Sequence, residues 1–258
     1  MIGIILLSLV PLRVSDSETS EMCSQLLFGE RVKIIEVREK WLNISNLSDN
    51  YSGWVDKKMV HVLSSEEESI ISNFVKYTVC VPILDCIKTS SNEKMFLPGG
   101  SILYNLSTGK FNISNEEFLV KITNSDFSTE NKGSRIVELA KQYLNAPYLW
   151  GGKSVMGIDC SGLIQVVFSM MEIQLPRDAS QQVDNGKVID FLSEVHAGDL
   201  AFFENPEGKI IHVGIMLNPQ QIIHASGCVK IEKMDSQGII SNQTGEYTHK
   251  LRVVKRLI

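Results

Sequence analysis

Gly157-Ile158-Asp159-Cys160-Ser161-Gly162 runs directly into Leu163-Ile164-Gln165-Val166-Val167-Phe168. Small and polar residues make a turn, the apolar run makes a helix, and a cysteine stands at the junction. A thiol attacks a carbonyl as thiolate. The N–H groups and dipole of a helix N-terminus and a nearby imidazole favour that anion, so the pKa of Cys160 is expected below its ordinary value. Two histidines follow on apolar, strand-like segments, His212 in Ile210–Leu217 and His224 in Gln221–Gly227. A short hairpin would set them on neighbouring strands, with His224 accepting Nδ1–H from His212 and orienting it, and Gly214 would admit another backbone close by. Working outward, Ile136, Val137, Leu139, Ala140 and Leu144 form one stripe, so a helix from Ser134, its expected cap, to Leu144 precedes the loop Asn145–Gly152. Strands dominate from Gly198-Asp199-Leu200 onward. Helices first and antiparallel strands after predict an α+β domain over 130–258.

Residues 1–63 break into short β-rich runs, Ile4–Val10, Gln25–Phe28, Arg31–Arg38, Trp41–Ser45 and Trp54-Val55, with turn signals between them. Leu26-Leu27-Phe28-Gly29-Glu30, an alternating strand, Trp41, and then Tyr51-Ser52-Gly53-Trp54-Val55 together resemble a bacterial SH3 domain, in which the Gly-Trp pair opens the last long strand. Residues 64–124 begin with a helix, Ser65 to Phe74, where Ser65 and Glu68 fit a capping box. Expected strands follow at Tyr77–Leu84, Lys94–Phe96, Ile102–Tyr104 and Phe118–Ile122, a second SH3-like barrel lacking the Gly-Trp pair. Asn124 to Gly133 is polar and reads as a linker.

Composition narrows the function. With 258 residues, a net charge of −5 and no basic run, the chain has no nucleic-acid footprint and no polybasic membrane anchor. The apolar Met1–Val10 has no basic n-region and no small-residue cleavage site, and it is too short to span a bilayer. It is expected to be a buried strand of a cytoplasmic protein; a leader removed beforehand would instead make the protein periplasmic or secreted. The five cysteines are odd in number and lack a C-x-x-C, which argues for reduced thiols over a disulfide framework or a structural zinc site.

Pro147-Tyr148-Leu149-Trp150-Gly151-Gly152, Asp159-Cys160-Ser161-Gly162-Leu163, Arg177-Asp178-Ala179-Ser180-Gln181-Gln182, Gly198–Phe203, His212-Val213-Gly214-Ile215 and Ile222-Ile223-His224-Ala225 occur in one order over the last half of the chain. This set resembles the NlpC/P60 family of cell-wall peptidases, which have a papain-like fold. With SH3-type sequence in front, it is most similar to the members that cleave γ-D-glutamyl-L-diamino acid bonds. The resemblance implies Cys160 as nucleophile, His212 as general base and acid, and His224 as orienting group. It implies that Tyr148 helps the Cys160 N–H to hold the oxyanion, and that Trp150 walls the pocket. Asp159 and Ser161 would receive the free amino group of an N-terminal L-Ala, although Asp159 could instead simply cap the catalytic helix. Arg177 and Ser180 would hold the carboxylate side of γ-D-Glu, and Glu21 and Tyr51 of the first barrel would complete amine recognition. No metal or organic cofactor is implied; Cys160, His212 and His224 are zinc-ligand types, but no acidic base accompanies them in a metallopeptidase pattern. His61, His196 and His249 match no motif and are expected to be ordinary. The implied enzyme is a monomer recycling peptidoglycan-derived peptides, with no nucleic-acid or membrane partner. Its rivals are an exported endopeptidase acting on intact wall and a non-catalytic wall-binding module.

Overall fold

The apolar opening forms two strands, β1 (Ile2–Ile4) and β2 (Leu9–Arg13), where one from Ile4 to Val10 was expected. The break has a cause: Ile5 N–H bonds Glu30 O and Gly29 N–H bonds Ile5 O, so Ile5 serves the Gly29 turn and not a ladder. The computed structural model describes residues 1–121 and 131–258, in two compact units, Met1–Ser125 and Asp126–Ile258. The expected linker from Asn124, the end of the strand at Ile122 and the boundaries at 124 and 130 lie outside the described residues. Among the described residues no helix is long and apolar enough to cross a membrane.

The first unit continues with β3 (Met22–Leu27), β4 (Arg31–Val37), β5 (Trp41–Asn46), β6 (Ser52–Asp56) and β7 (His61–Val62), paired in the order β3-β2-β6-β5-β4-β1-β7. A Cβ on Gly53 would stand 2.8 Å from Arg13 O, so glycine lets β6 cross β2 closely. Beside it Trp54 is 9% exposed, with the Arg38 guanidinium 4.2 Å from its ring centre.

Helix α1 (Ser65–Ser72) is capped one residue earlier than expected. Ser64 Oγ accepts from Glu67 N–H and Ser64 N–H donates to Glu67. The run Ser64-Ser65-Glu66-Glu67-Glu68 fits the box in either register, and Ser64 has the extended backbone a cap needs. The expected strand Tyr77–Leu84 is split into β8 (Lys76–Thr78) and β9 (Ile83–Lys88), with Pro82, which has no N–H to give a ladder, between them. Next come β10 (Glu93–Pro98), β11 (Ile102–Tyr104), β12 (Lys110–Ile113) and β13 (Glu116–Val120), in sheets ordered β10-β9-β13-β12 and β11-β8. The four-residue strand β12 has no counterpart among the expected strands.

In the second unit, helix α2 (Lys132–Lys141) is capped by Asn131, whose Oδ1 accepts from Gly133 and Ser134. Ser134, the expected cap, lies in the first turn, and the helix stops short of Leu144. After β14 (Lys153–Ser154) and β15 (Gly157–Ile158) come α3 (Cys160–Ser169), α4 (Ala179–Gln182) and β16 (Lys187–Ile189). Then follow β17 (Leu200–Glu204), β18 (Ile210–Asn218), β19 (Gln221–Ser226), β20 (Cys228–Met234), β21 (Gly238–Ile240) and β22 (Tyr247–Arg256). Strand β22 pairs with β17 on one edge and with β21 and β16 on the other, so β17–β22 close into a six-stranded barrel. Ala201, Phe203, Met216, Ile222, Met234, Ile239 and Val254 pack into one core, and α3 lies against β18 and β19. These strands are covered on both faces, which is why Val213, Ile215 and Ile223 are fully buried as well.

Candidate active site

Cys160 is the first residue of α3 and 7% exposed. Asp159 caps the helix: one carboxylate oxygen accepts from Gly162 N–H (2.7 Å), the other from Gly151 N–H (2.8 Å). The turn depends on glycine. A Cβ on Gly162 would stand 2.3 Å from Gly152 O, and one on Gly152 would stand 2.4 Å from Gly157 O. The loop before the cysteine and the helix after it therefore meet backbone to backbone.

Arg177 is 2% exposed at its side chain and lies across the same carboxylate. Nη2 bonds Asp159 Oδ2 at 2.5 Å, and Nη1 bonds Asp159 Oδ1 (3.1 Å) and Ser161 Oγ (2.8 Å). The sequence grouped these three as substrate contacts; here they hold one another behind the nucleophile. Of the two roles weighed for Asp159, capping is the one on view. Ser180 is exposed on α4, and Trp150 is 60% exposed. In the first unit, Tyr51 is half-buried against that unit's core and Glu21 is exposed just before β3.

Strands β18 and β19 pair with Met216 opposite Ile222, which puts His212 and His224 on one face. His212 is 5% exposed and His224 fully buried, with His212 Nε2 2.9 Å from His224 Nδ1. The orienting contact thus runs through Nε2 of His212, where Nδ1 was expected. A Cβ on Gly214 would stand 2.9 Å from His224 Cβ, so its glycine admits a side chain rather than a backbone.

Tyr148 is half-buried in a loop pinned at both ends: its N–H bonds Gly227 O (3.0 Å) and Ile158 N–H bonds Pro147 O (3.0 Å). Burial, and after it the negative charge of an ionised Cys160 or Asp159, pushes its hydroxyl up to about 12, so it remains a donor.

Residues 145–248 match the NlpC/P60 family, and residues 12–59 match the bacterial dipeptidyl-peptidase Sh3 domain. The chain belongs to the NlpC/P60 family. This NlpC/P60 chain is 28% identical over 217 residues to a gamma-D-glutamyl-L-lysine dipeptidyl-peptidase of Bacillus subtilis, covering 78% of its own length and 71% of the relative's. It is 27% identical over 245 residues to dipeptidyl-peptidase 6 of Lysinibacillus sphaericus, covering 84% and 86%. Its fold is that of the crystal structure of an NlpC/P60 family protein from Bacillus cereus, with a TM-score of 0.84 over 100% of this chain and 99% of that one at 18% identity.

The electrostatics of this NlpC/P60 site reverse one expectation. Burial, reinforced by Asp159, pushes the Cys160 thiol up to about 11, against the Ser161 and Val213 N–H groups and Arg177. Burial also holds His212 well below the ordinary histidine value, helped by the nearby His249, His224 and Lys230. Desolvation thus favours the neutral forms of both thiol and imidazole, against the pull of the helix N-terminus on the thiol.

Two neighbours escaped the sequence reading. His249 stacks on His212 with centroids 4.2 Å apart and an interplanar angle of 28°. Glu232 lies 2.9 Å from His224 Nε2. Both come from strands with no motif: Glu232 is brought here by the pairing of β20 with β19, and His249 lies on β22.

Proposed function

We propose that this chain hydrolyses the amide bond between γ-D-glutamate and an L-diamino acid in peptides derived from peptidoglycan, acting on fragments with a free N-terminal L-Ala. The observation that carries the reading is the buried His212–His224 pair, with His212 on a strand whose Val213 N–H reaches the Cys160 sulfur at a helix N-terminus. It occurs in a chain aligned over most of its length with relatives named for γ-D-glutamyl-L-lysine cleavage. The Cys160 sulfur attacks the carbonyl as its proton passes to His212. The Cys160 N–H and the Tyr148 hydroxyl receive the oxyanion. His212 then protonates the leaving amine, and water, activated by the same ring, releases the acyl group.

The free-amine requirement is assigned to Ser161 and Asp159, with Trp150, Arg177 and Ser180 toward the rest of the peptide. It draws on the match of residues 12–59 to the Sh3 domain of dipeptidyl-peptidases. The same reading takes residues 64–121 as a second, degenerate SH3-like barrel and the C-terminal unit as papain-like.

Mass spectrometry of products from the L-Ala-γ-D-Glu-diamino acid tripeptide and its N-acetylated form, with wild type and Cys160→Ala, tests this. Cleavage of the free tripeptide alone, lost in the variant, is expected. Equal cleavage of both would remove the amine requirement and point to intact wall; cleavage of neither would sink the enzymatic reading.

A further inference from the structure

The line of buried polar groups does not stop at His224. Strand β20 pairs with β19 so that Lys230 faces His224 and Glu232 faces Ile222, which sets Glu232 diagonally across from His224 on the same face. The Glu232 side chain is 2% exposed. Its Oε2 stands 2.9 Å from His224 Nε2 and 3.4 Å from Lys230 Nζ, and its Oε1 accepts from Asn242 N–H at 3.0 Å. Burial alone would raise its pKa, but the Asn242 N–H, His224 and Lys230 outweigh burial and keep it below the ordinary carboxylate value.

We propose that Glu232 is a positioning residue of the peptidase reaction: it dictates the tautomers of both His224 and His212 and so leaves Nδ1 of His212 bare to take the Cys160 proton. An ionised carboxylate can only accept a hydrogen bond, so His224 Nε2 must carry a proton. A neutral imidazole has one N–H, so His224 Nδ1 is an acceptor. His212 Nε2, 2.9 Å away, must then be the donor, and His212 Nδ1 is left with its lone pair. The stacked His249 ring holds the plane of His212. When the Cys160 S–H proton moves to Nδ1, the positive charge on His212 is met through His224 by a carboxylate. No proton need pass to Glu232, and the proton on Nδ1 leaves with the amine. The orienting His224 thus has an anion behind it.

This rests on Cys160 and His212 being the reacting pair, and the test separates the two ideas. Long-range 1H–15N NMR of the imidazoles in the full-length wild type is expected to show both His212 and His224 protonated at Nε2. An Nδ1–H tautomer on either ring overturns the inference without any mutation. Glu232→Gln must place an amide N–H against either His224 or the Asn242 N–H. It is expected to lower kcat about 100-fold with KM nearly unchanged, short of the roughly 10⁴-fold loss when the direct orienter of a triad imposes the wrong tautomer. Glu232→Asp, which keeps the charge, is expected to recover part of that loss. Unchanged kcat in Glu232→Gln, with Cys160→Ala inactive, overturns the role of Glu232 alone. Activity surviving in Cys160→Ala would overturn the reacting pair on which the inference rests.

Discussion

At Cys160 the sulfur is buried, has Asp159 as its chain neighbour and accepts from the Ser161 and Val213 N–H groups, while burial holds the His212 imidazole well below its ordinary value. The thiolate fraction of a group at about 11 rises tenfold per pH unit up to that value and levels off only above it. Alkylation of Cys160 by iodoacetamide is therefore expected to accelerate steadily from pH 6 to about 10 without a plateau. Peptide-resolved mass spectrometry separates this signal from Cys23, Cys80, Cys86 and Cys228. A plateau below about pH 8 would mean that the resting pair is thiolate and imidazolium, and that the helix N-terminus wins over burial. Cys160, His212 and His224 were legible because residue type and local motif coincide at each. Glu232 was not. In Val229-Lys230-Ile231-Glu232-Lys233 the apolar phase falls on Val229 and Ile231, which makes Glu232 look solvent-facing. That inference fails when a sheet closes and both faces are covered.

At the scale of the helix, α3 is fixed at its first turn by charge as much as by packing. Asp159 and Arg177 are buried together, and each is the other's counter-ion. Removing one partner of such a pair leaves an uncompensated buried charge and costs about 3–5 kcal/mol, whereas replacing both is much milder. Asp159→Asn keeps an oxygen for the cap but strands Arg177; Arg177→Met strands Asp159. Hydrogen-exchange protection of the α3 amides in the full chain is expected to fall strongly in each single variant. The double variant is expected to be protected at least as well as either single variant, so that the two losses do not add. Additive losses would mean that the pair is not coupled, and that Arg177 is kept for the substrate. Sequence placed α1, α2 and α3 well and offered Asp159 as the cap of α3, but it missed the caps of α1 and α2. Ser64 and Ser65 offer the same chemistry one residue apart, and Asn131 takes the cap from Ser134 because its Oδ1 accepts from two N–H groups of the first turn ahead of it.

At the scale of the N-terminal unit, the sequence suggested two small barrels, but the packing ties them together. Ile4, Phe28 and Leu63 from the first segment are buried in one core with Leu97, Tyr104, Phe111, Phe118 and others from the second. Phe28 meets Phe118 edge-on at 5.3 Å and Phe111 at 5.9 Å. Tyr104 donates to Gly29 O at 2.8 Å, and Ile102 N–H to Phe28 O at 2.9 Å. A Cβ on Gly29, whose φ is +79°, would stand 2.0 Å from Ile102 O, so this turn is shaped around its neighbour. Local pattern cannot show which side chains of one β segment fill another's core, because alternation reports a buried face and not what buries it. Cutting the chain after Leu63 would return Ile4, Phe28 and Leu63 to water. At about 1.5–3 kcal/mol each this sums to roughly 5–9 kcal/mol, comparable with the whole stability of a small domain. A fragment of residues 1–63 is accordingly expected to lack a cooperative thermal transition by circular dichroism, and a fragment of residues 1–121 to show one. A cooperative melt for residues 1–63 near that of the longer fragment would mean that the ten-residue core around Val10, Leu12, Ile44 and Val55 suffices alone, and that the shared core adds contact without adding stability.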